Sequence, residues 1–323
     1  MISGSRWILV TGGAGFIGGH IAERLLEEGN KVRILDNFST GSRKNVERLD
    51  GLARDGYFEV AECDLRDAQS VEDAMLDVTH VVHQAALPSV ERSIQAPTTT
   101  HEVNTTGTLH VLESARRGDV QRVVFAGSSS VYGDQGELPK RESMRPMPKS
   151  PYALSKQMGE AYCSLYSELY GLETVTLRYF NVFGPRQNPD SQYAAVIPLF
   201  TRAILRGDRP KVFGDGGQTR DFTFIANVVD ANLLALGGGG KAGSIYNVAC
   251  GDRISLLELL SELQGIIGTK IEPEFHPARK GDVRDSQAGI EKAVEELGFK
   301  PRVGFREGLT QTVNWFQSEE GAR

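Results

Sequence analysis

The first half of the chain alternates short, nearly continuous apolar runs with stretches whose apolar residues recur at helical spacing. Strands are expected at Trp7–Thr11, Val32–Asp36, Phe58–Glu62, Thr79–Gln84, Arg122–Ser128 and Thr174–Tyr179. Helices are expected between them at Phe16–Glu28, Ser70–Leu76, Pro97–Arg117 and Pro151–Tyr170. Strands that are apolar on both faces and separated by helices imply a parallel sheet covered on both sides, a doubly wound α/β fold. After Asn181 the alternation weakens and Pro and Gly become frequent. The pattern predicts a Rossmann-like domain over 1–181 and a smaller α/β substrate domain over 182–323, with some segments returning to the first. Gly237–Gly240 reads as a flexible connector, and Arg306–Phe316 as a closing helix.

Composition narrows the field. The chain has 323 residues and a net charge of -6, which disfavours a nucleic-acid surface, since that needs clustered Lys and Arg. No apolar run is long enough to span a bilayer, and the N-terminus enters a strand directly. Three well-separated cysteines, Cys63, Cys163 and Cys250, suit a reducing cytoplasm better than a disulfide framework. The six histidines have no metal-ligand spacing, so no metal is expected.

Two local patterns carry chemistry. Gly12, Gly15 and Gly18, with Phe16 and Ile17 between them, stand at a strand-to-helix junction. Glycine there permits a tight turn and lets backbone N–H groups approach a pyrophosphate at a helix N-terminus. Asp36 ends the next strand, where a carboxylate accepts ribose hydroxyls and repels a 2'-phosphate, favouring NAD over NADP. Arg43 and Lys44 lie nearby and pull the other way. Asp64 and Leu65 follow the third strand and admit two readings, a hold on the adenine or a helix cap. Gln84, Ala85 and Ala86 also admit two: a small-residue strand end for a flat cofactor, or ordinary helix–sheet packing.

The second pattern is Tyr152 and Lys156, one turn apart on one helical face, in a helix capped by Ser150-Pro151 and closed by Gly171. A free tyrosine is too weakly acidic to serve as a base near neutrality, and a neighbouring ammonium favours its phenolate. Ser128-Ser129-Ser130 ends the fifth strand, at the carboxyl edge that faces the ligand crevice in such sheets. A serine hydroxyl can donate to a substrate oxygen and share its proton.

These residues in this order resemble the extended short-chain dehydrogenase/reductases of the NAD-dependent epimerase/dehydratase family, and within it the nucleotide-sugar 4-epimerases. The similarity rests on Thr11-Gly-Gly-Ala-Gly-Phe-Ile-Gly18, Asp36-Asn37, Ser128-Ser-Ser-Val-Tyr-Gly133, Tyr152-Ala-Leu-Ser-Lys156, Arg178-Tyr-Phe-Asn-Val-Phe-Gly-Pro185, Arg220-Asp-Phe and Arg279-Lys-Gly-Asp282. It implies that Tyr152 is the base, that Lys156 tunes it and that Ser129 bridges the sugar hydroxyl. Asn37, Asn104 and Tyr179 are then expected on the cofactor side. Ser130, Asn181, Val196, Arg220, Arg279 and Asp282 are expected to hold a UDP-sugar. The implied reaction is C4 epimerisation of a UDP-hexose through a 4-keto sugar with retained NAD, in a homodimer.

Related dehydratases and decarboxylases carry an acidic residue immediately before Val-Tyr-Gly, where this chain has Ser130. The resemblance also places a size-sensitive residue at Ser286, where a small side chain leaves room for an N-acetyl group; a solvent-facing loop serine is the plainer reading. Both plain and N-acetylated UDP-hexoses remain open. Ala288-Gly289 stands where related chains read Ala-Asp, which puts a hydrogen bond near the uridine in doubt. Two alternatives stand beside this reading: a UDP-glucuronate 4-epimerase or another NAD-linked nucleotide-sugar enzyme, and a non-catalytic nucleotide-binding regulator.

Overall fold

A computed structural model describes residues 7–190, 195–278 and 284–321. Five strands, β1 (Trp7–Thr11), β2 (Lys31–Asp36), β3 (Phe58–Glu62), β4 (Val78–His83) and β5 (Arg122–Ser128), are joined by β6 (Glu173–Tyr179) and by Ser244–Val248. They form one seven-stranded sheet with β3 at one edge, then β2, β1, β4, β5 and β6, and Ser244–Val248 at the other edge. Every pairing in it is parallel. The order reverses between β1 and β4, so the carboxyl ends of these two strands open onto the crevice where doubly wound sheets bind ligands.

The apolar runs become strands because helices cover both faces. Leu9, Val81, Val123 and Phe125 pack in one cluster with Leu112 and Cys163. Val10, Val82, Val124 and Val175 pack in another with Ile21, Leu25 and Val228. The Pro151–Tyr170 helix starts with the Ser150 hydroxyl accepting from Ala153 N and ends at Gly171 in a left-handed conformation.

Two expectations needed revision, and one strand of the main sheet was not among those expected. The expected Pro97–Arg117 helix is interrupted by a π-type turn at Glu102–Thr106, which brings the Asn104 side chain onto the backbone of Leu87. The Ser244–Val248 strand returns to pair with β6 from far along the chain, a tertiary pairing that no local pattern announces. Gly237–Gly240 is not a loose tether: Arg122 Nη1 donates to the carbonyls of Ala235 and Gly239, and Gly240 N donates to Glu296 O. The glycines instead let the chain turn sharply from the Ile225–Leu236 helix toward the edge strand, with φ near +101° at Gly238.

Beyond β6 the chain builds a smaller lobe. It contains the helices Val196–Leu205 and Leu256–Ile267 and three two-stranded pairings. The terminal helix runs Phe305–Gly321, longer than expected. None of the described helices is long and apolar enough to cross a membrane.

Candidate active site

The glycine turn after β1 is shaped by contacts that a side chain would destroy. Gly12 has φ near +69°, and a Cβ there would lie 2.8 Å from the backbone nitrogen of Ala85. A Cβ on Gly18 would lie 2.2 Å from Gly12 O, so the helix that starts at Phe16 could not close on the turn. Gly15 N donates to Gly12 O. The result is a narrow cradle at a helix N-terminus, bounded opposite by Gln84–Ala86, which directly follow β4.

Asp36 closes one side of the cradle. Its carboxylate accepts from the backbone amides of Ala14 and Phe38 at 3.0 and 2.9 Å. Burial pushes its carboxyl up, and the two amides pull the other way. Asn37 donates to Asp64, which also accepts a paired interaction from Arg66; that hydrogen bonding holds the Asp64 carboxyl well below the usual range. Leu65 is buried, and its carbonyl accepts from His110 Nδ1 at 2.8 Å. Asp67, not Asp64, caps the helix that follows, accepting from Gln69 and Ser70.

A hydrogen-bonded chain that the sequence reading missed lies beneath this turn. Ala85 N donates to Thr11 Oγ1, which pairs with His83 Nδ1 at 2.7 Å. His83 Nε2 meets Thr108 Oγ1 at 2.9 Å, and Thr108 donates to Asn104 O. Because Thr108 spends its proton on that carbonyl, His83 carries its hydrogen on Nε2. The ring is 1% exposed, and burial, aided by the Lys156 charge, pushes it down to about 3, so it is neutral. The clue in the sequence is a histidine that ends β4 directly after two valines. Asn104 is spent on this scaffold: it binds Leu87 through both amide atoms and donates to Ser155 Oγ. Tyr179 donates to Asn232 and accepts from Gln84, which places a polar knot below the strand ends.

The Tyr152/Lys156 pair stands over the end of β5. Lys156 is 5% exposed; its Nζ donates to Ala126 O at 2.9 Å and lies 5.0 Å from the Phe125 ring centre. Burial pushes the ammonium down to about 8, with Glu160 acting against it. Burial raises the Tyr152 phenol, and a hydrogen bond with Ser128 opposes the rise. Ser128 is thus the serine that acts on the Tyr152 phenol, and Ser129, expected to bridge the sugar hydroxyl, is its neighbour in the chain. The reason is geometric: Ser128 is the last residue of β5, and Ser129 already begins a 3-10 turn that carries it onward. Ser130 stays close, its Oγ 2.8 Å from Ser128 Oγ.

On the far side, Asn181, Val196 and Arg220 line one cleft of about 250 Å³, together with Phe200, Lys211 and Phe222. Asn181 has φ near +27° and its carbonyl accepts from Thr223 N. Ser286 N donates to Thr219 O, which sets Ser286 beside the Arg220 strand. Arg279 and Asp282 lie outside the described residues. Gly289 N donates to Lys140 O and its carbonyl accepts from Asn247 Nδ2. A side chain at Gly289 would meet the Glu291 carboxylate at 2.8 Å.

A dinucleotide-shaped cradle and a Ser/Tyr/Lys constellation at one sheet edge define a member of a known class. Residues 8–249 match the NAD dependent epimerase/dehydratase family, and the chain belongs to it. It is 40% identical over 313 residues to a putative UDP-glucose 4-epimerase of Methanocaldococcus jannaschii, spanning 96% of this chain and 98% of the relative. Among solved structures, it superposes with a TM-score of 0.92 on a UDP-N-acetylglucosamine 4-epimerase from Methanobrevibacter ruminantium in complex with UDP-N-acetylmuramic acid. That protein is 37% identical, covering 98% of this chain and 100% of the other. A Thermus thermophilus UDP-glucose 4-epimerase complexed with NAD is 39% identical with a TM-score of 0.87, covering 96% and 99% of the two chains. The family and fold make the chain an NAD-dependent enzyme that modifies nucleotide sugars.

Proposed function

We propose that the protein is an NAD-dependent 4-epimerase of UDP-hexoses. The observation that carries this reading is the Tyr152/Lys156 pair standing over the end of β5, where the Ser128 and Ser130 hydroxyls lie 2.8 Å apart. The constellation has a proton acceptor for a sugar hydroxyl, but no carboxylic acid at the position where the dehydratases carry one.

The cradle fits NAD. The glycine turn leaves the room that only a missing Cβ provides, and Asp36 presents a carboxylate where a ribose is expected. Bound there, NAD would supply the hydride acceptor and donor for C4 of the sugar. The residues of the chain handle the proton and the grip. Tyr152 takes the proton of the C4 hydroxyl, Ser128 steadies that oxygen, and the Lys156 ammonium lowers the cost of the phenolate. Gly12, Gly15, Phe16, Ile17, Gly18, Asn37 and Gln84–Ala86 hold the cofactor. Asn181, Val196 and Arg220 grip the nucleotide from their shared cleft, with Arg279 and Asp282 as further holds. Firm nucleotide contacts and loose sugar contacts let the keto sugar turn without leaving.

UDP-N-acetylhexosamines are the favoured substrates and plain UDP-hexoses the second. Support comes from the small Ser286 next to the Arg220 strand and from the N-acetylglucosamine epimerase among the structural relatives. Epimerisation of UDP-glucuronate is a distinct reading, favoured by the three adjacent hydroxyls of Ser128, Ser129 and Ser130, which suit a carboxylate. A homodimer fits the exposed apolar stripe Leu154, Met158, Leu165 and Leu169 on the Tyr152 helix.

The test is incubation of the purified protein, without added cofactor, with UDP-glucose, UDP-N-acetylglucosamine and UDP-glucuronate in separate tubes. Proton NMR of the sugars reads the products. A C4 epimer is the expected product, in highest yield from the N-acetylated substrate. Dehydrated or decarboxylated products, or none with NAD added, would remove the epimerase reading.

A further inference from the structure

Below the Tyr152/Lys156 pair lies a buried ion pair that the proposed reaction leaves unused. Arg178 donates to Glu160 through Nε at 3.0 Å and Nη2 at 2.8 Å, and the two side chains are 2% and 3% exposed. Arg178 also lies 4.7 Å from the Tyr132 ring centre, and its Nη1 is buried without a hydrogen-bond partner. A buried ion pair is seldom a net gain in stability over apolar residues of equal volume. Its position suggests what else it does.

Tyr152, Lys156 and Glu160 follow one another at single-turn spacing along one face of the helix. Lys156 Nζ reaches Ala126 O, and the Glu160 carboxylate reaches the next residue, since a Cβ on Gly127 would lie 2.9 Å from Glu160 Oε1. The ammonium and the carboxylate thus sit over adjacent residues of β5. The other groups facing Lys156 cannot supply its counter-charge. His83, on β4, is neutral, and burial pushes the Cys163 thiol up to about 12. Tyr152 must be free to take and release a proton. β5 itself offers only a carbonyl and the Phe125 ring.

We propose that Glu160, fixed and kept ionised by Arg178, is a positioning residue that holds Lys156 in its charged form beneath Tyr152. The inference rests on the Tyr152/Lys156 reading above. Through it the Arg178 strand, β6, acts on the proton-transfer pair without touching substrate. Burial holds the Glu160 carboxyl above its usual value, and Arg178 and then Lys156 oppose the rise without cancelling it. The carboxylate depends on its cations, and Lys156 in turn depends on the carboxylate.

The experiment is NMR titration of isotope-labelled lysine Nζ in the holoenzyme, with Lys156→Met identifying the signal. It is run on the wild type, on Glu160→Gln and on Glu160→Gln/Arg178→Met, which removes the ion pair as a neutral unit. The Lys156 midpoint is expected to fall by about one pH unit or more in both variants, and the alkaline limb of kcat to move with it. An unchanged midpoint in a folded double variant overturns the proposal, because it leaves the pair a purely structural role. Should neither variant fold, labelled Glu160 is titrated in the wild type. A carboxylate ionised throughout about pH 6–9 upholds its place as counter-charge, and a protonated one overturns it. Loss of the epimerase reading would show separately, as wild-type protein that forms no epimer whatever its Lys156 midpoint.

Discussion

Lys156 Nζ donates to the carbonyl of Ala126 at 2.9 Å, which fastens the helix bearing Tyr152 to β5 two residues before Ser128. The bond fixes the separation between the phenol and the serine hydroxyl. It also holds an ammonium where water does not reach, and burial pushes that group down to about 8 from 10.5. Because the folded state releases this proton more readily than the unfolded chain, the cost is complete below about pH 8 and is relieved as pH rises toward 10.5. Lys156→Met is therefore expected to lose activity yet to gain about 1–3 kcal/mol of stability at neutral pH, after allowing for the lost hydrogen bond. Denaturant unfolding at neutral and at alkaline pH checks this: the gain should shrink as pH rises.

Ser128 and Ser129 separate cleanly by mutation. Ser128→Ala removes the hydroxyl that meets Tyr152 and is expected to lower kcat by about 10- to 100-fold, the worth of one hydrogen bond to a charged group. Ser129→Ala should change kcat by less than about threefold. Steady-state rates with the preferred sugar nucleotide decide it, and equal losses would restore Ser129 as the partner.

Tyr152→Phe retains the ring and deletes the proton acceptor. Turnover should drop by about a thousandfold, within the span that general base catalysis covers, while NAD stays bound. Epimer formation by NMR and the nucleotide released on denaturation report the two properties independently. Near-wild-type turnover would remove Tyr152 as the base.

Ser286→Tyr places an aromatic ring beside the Arg220 strand. The expected outcome is a selective fall in kcat/KM for N-acetylated substrates by about tenfold or more, with plain UDP-hexoses little affected. A parallel loss on UDP-glucose would show that Ser286 does not gate the sugar.

His83 makes the fold acid-sensitive. Burial holds its ring near 3 against 6.5 when exposed, so the unfolded chain binds a proton that the folded one refuses. Stability contributed by the neutral ring is present above about pH 6.5 and lost progressively toward pH 3, by about 2–3 kcal/mol at pH 4.5. Thermal unfolding across that range should show the decline, and His83→Gln should flatten it.

Periodicity and punctuation were enough to read the nucleotide-binding half from the sequence. The apolar runs that end at Thr11, Asp36 and Ser128 coincide with strand ends, because a strand covered on both faces must be largely apolar and must stop where the chain meets solvent or ligand. The glycines at 12, 15 and 18 and the Tyr152/Lys156 spacing could be read for the same reason: their chemistry is set by neighbours in sequence. Tertiary structure alone decided the rest. Which serine faces Tyr152 depends on where β5 stops and the 3-10 turn begins. The ordering of Gly237–Gly240 depends on Arg122, more than a hundred residues earlier. The seventh strand arises from pairing between β6 and Ser244–Val248, far along the chain. A hydrogen bond or ion pair across such distances leaves no local pattern, since its two halves are each ordinary polar residues until the fold brings them together.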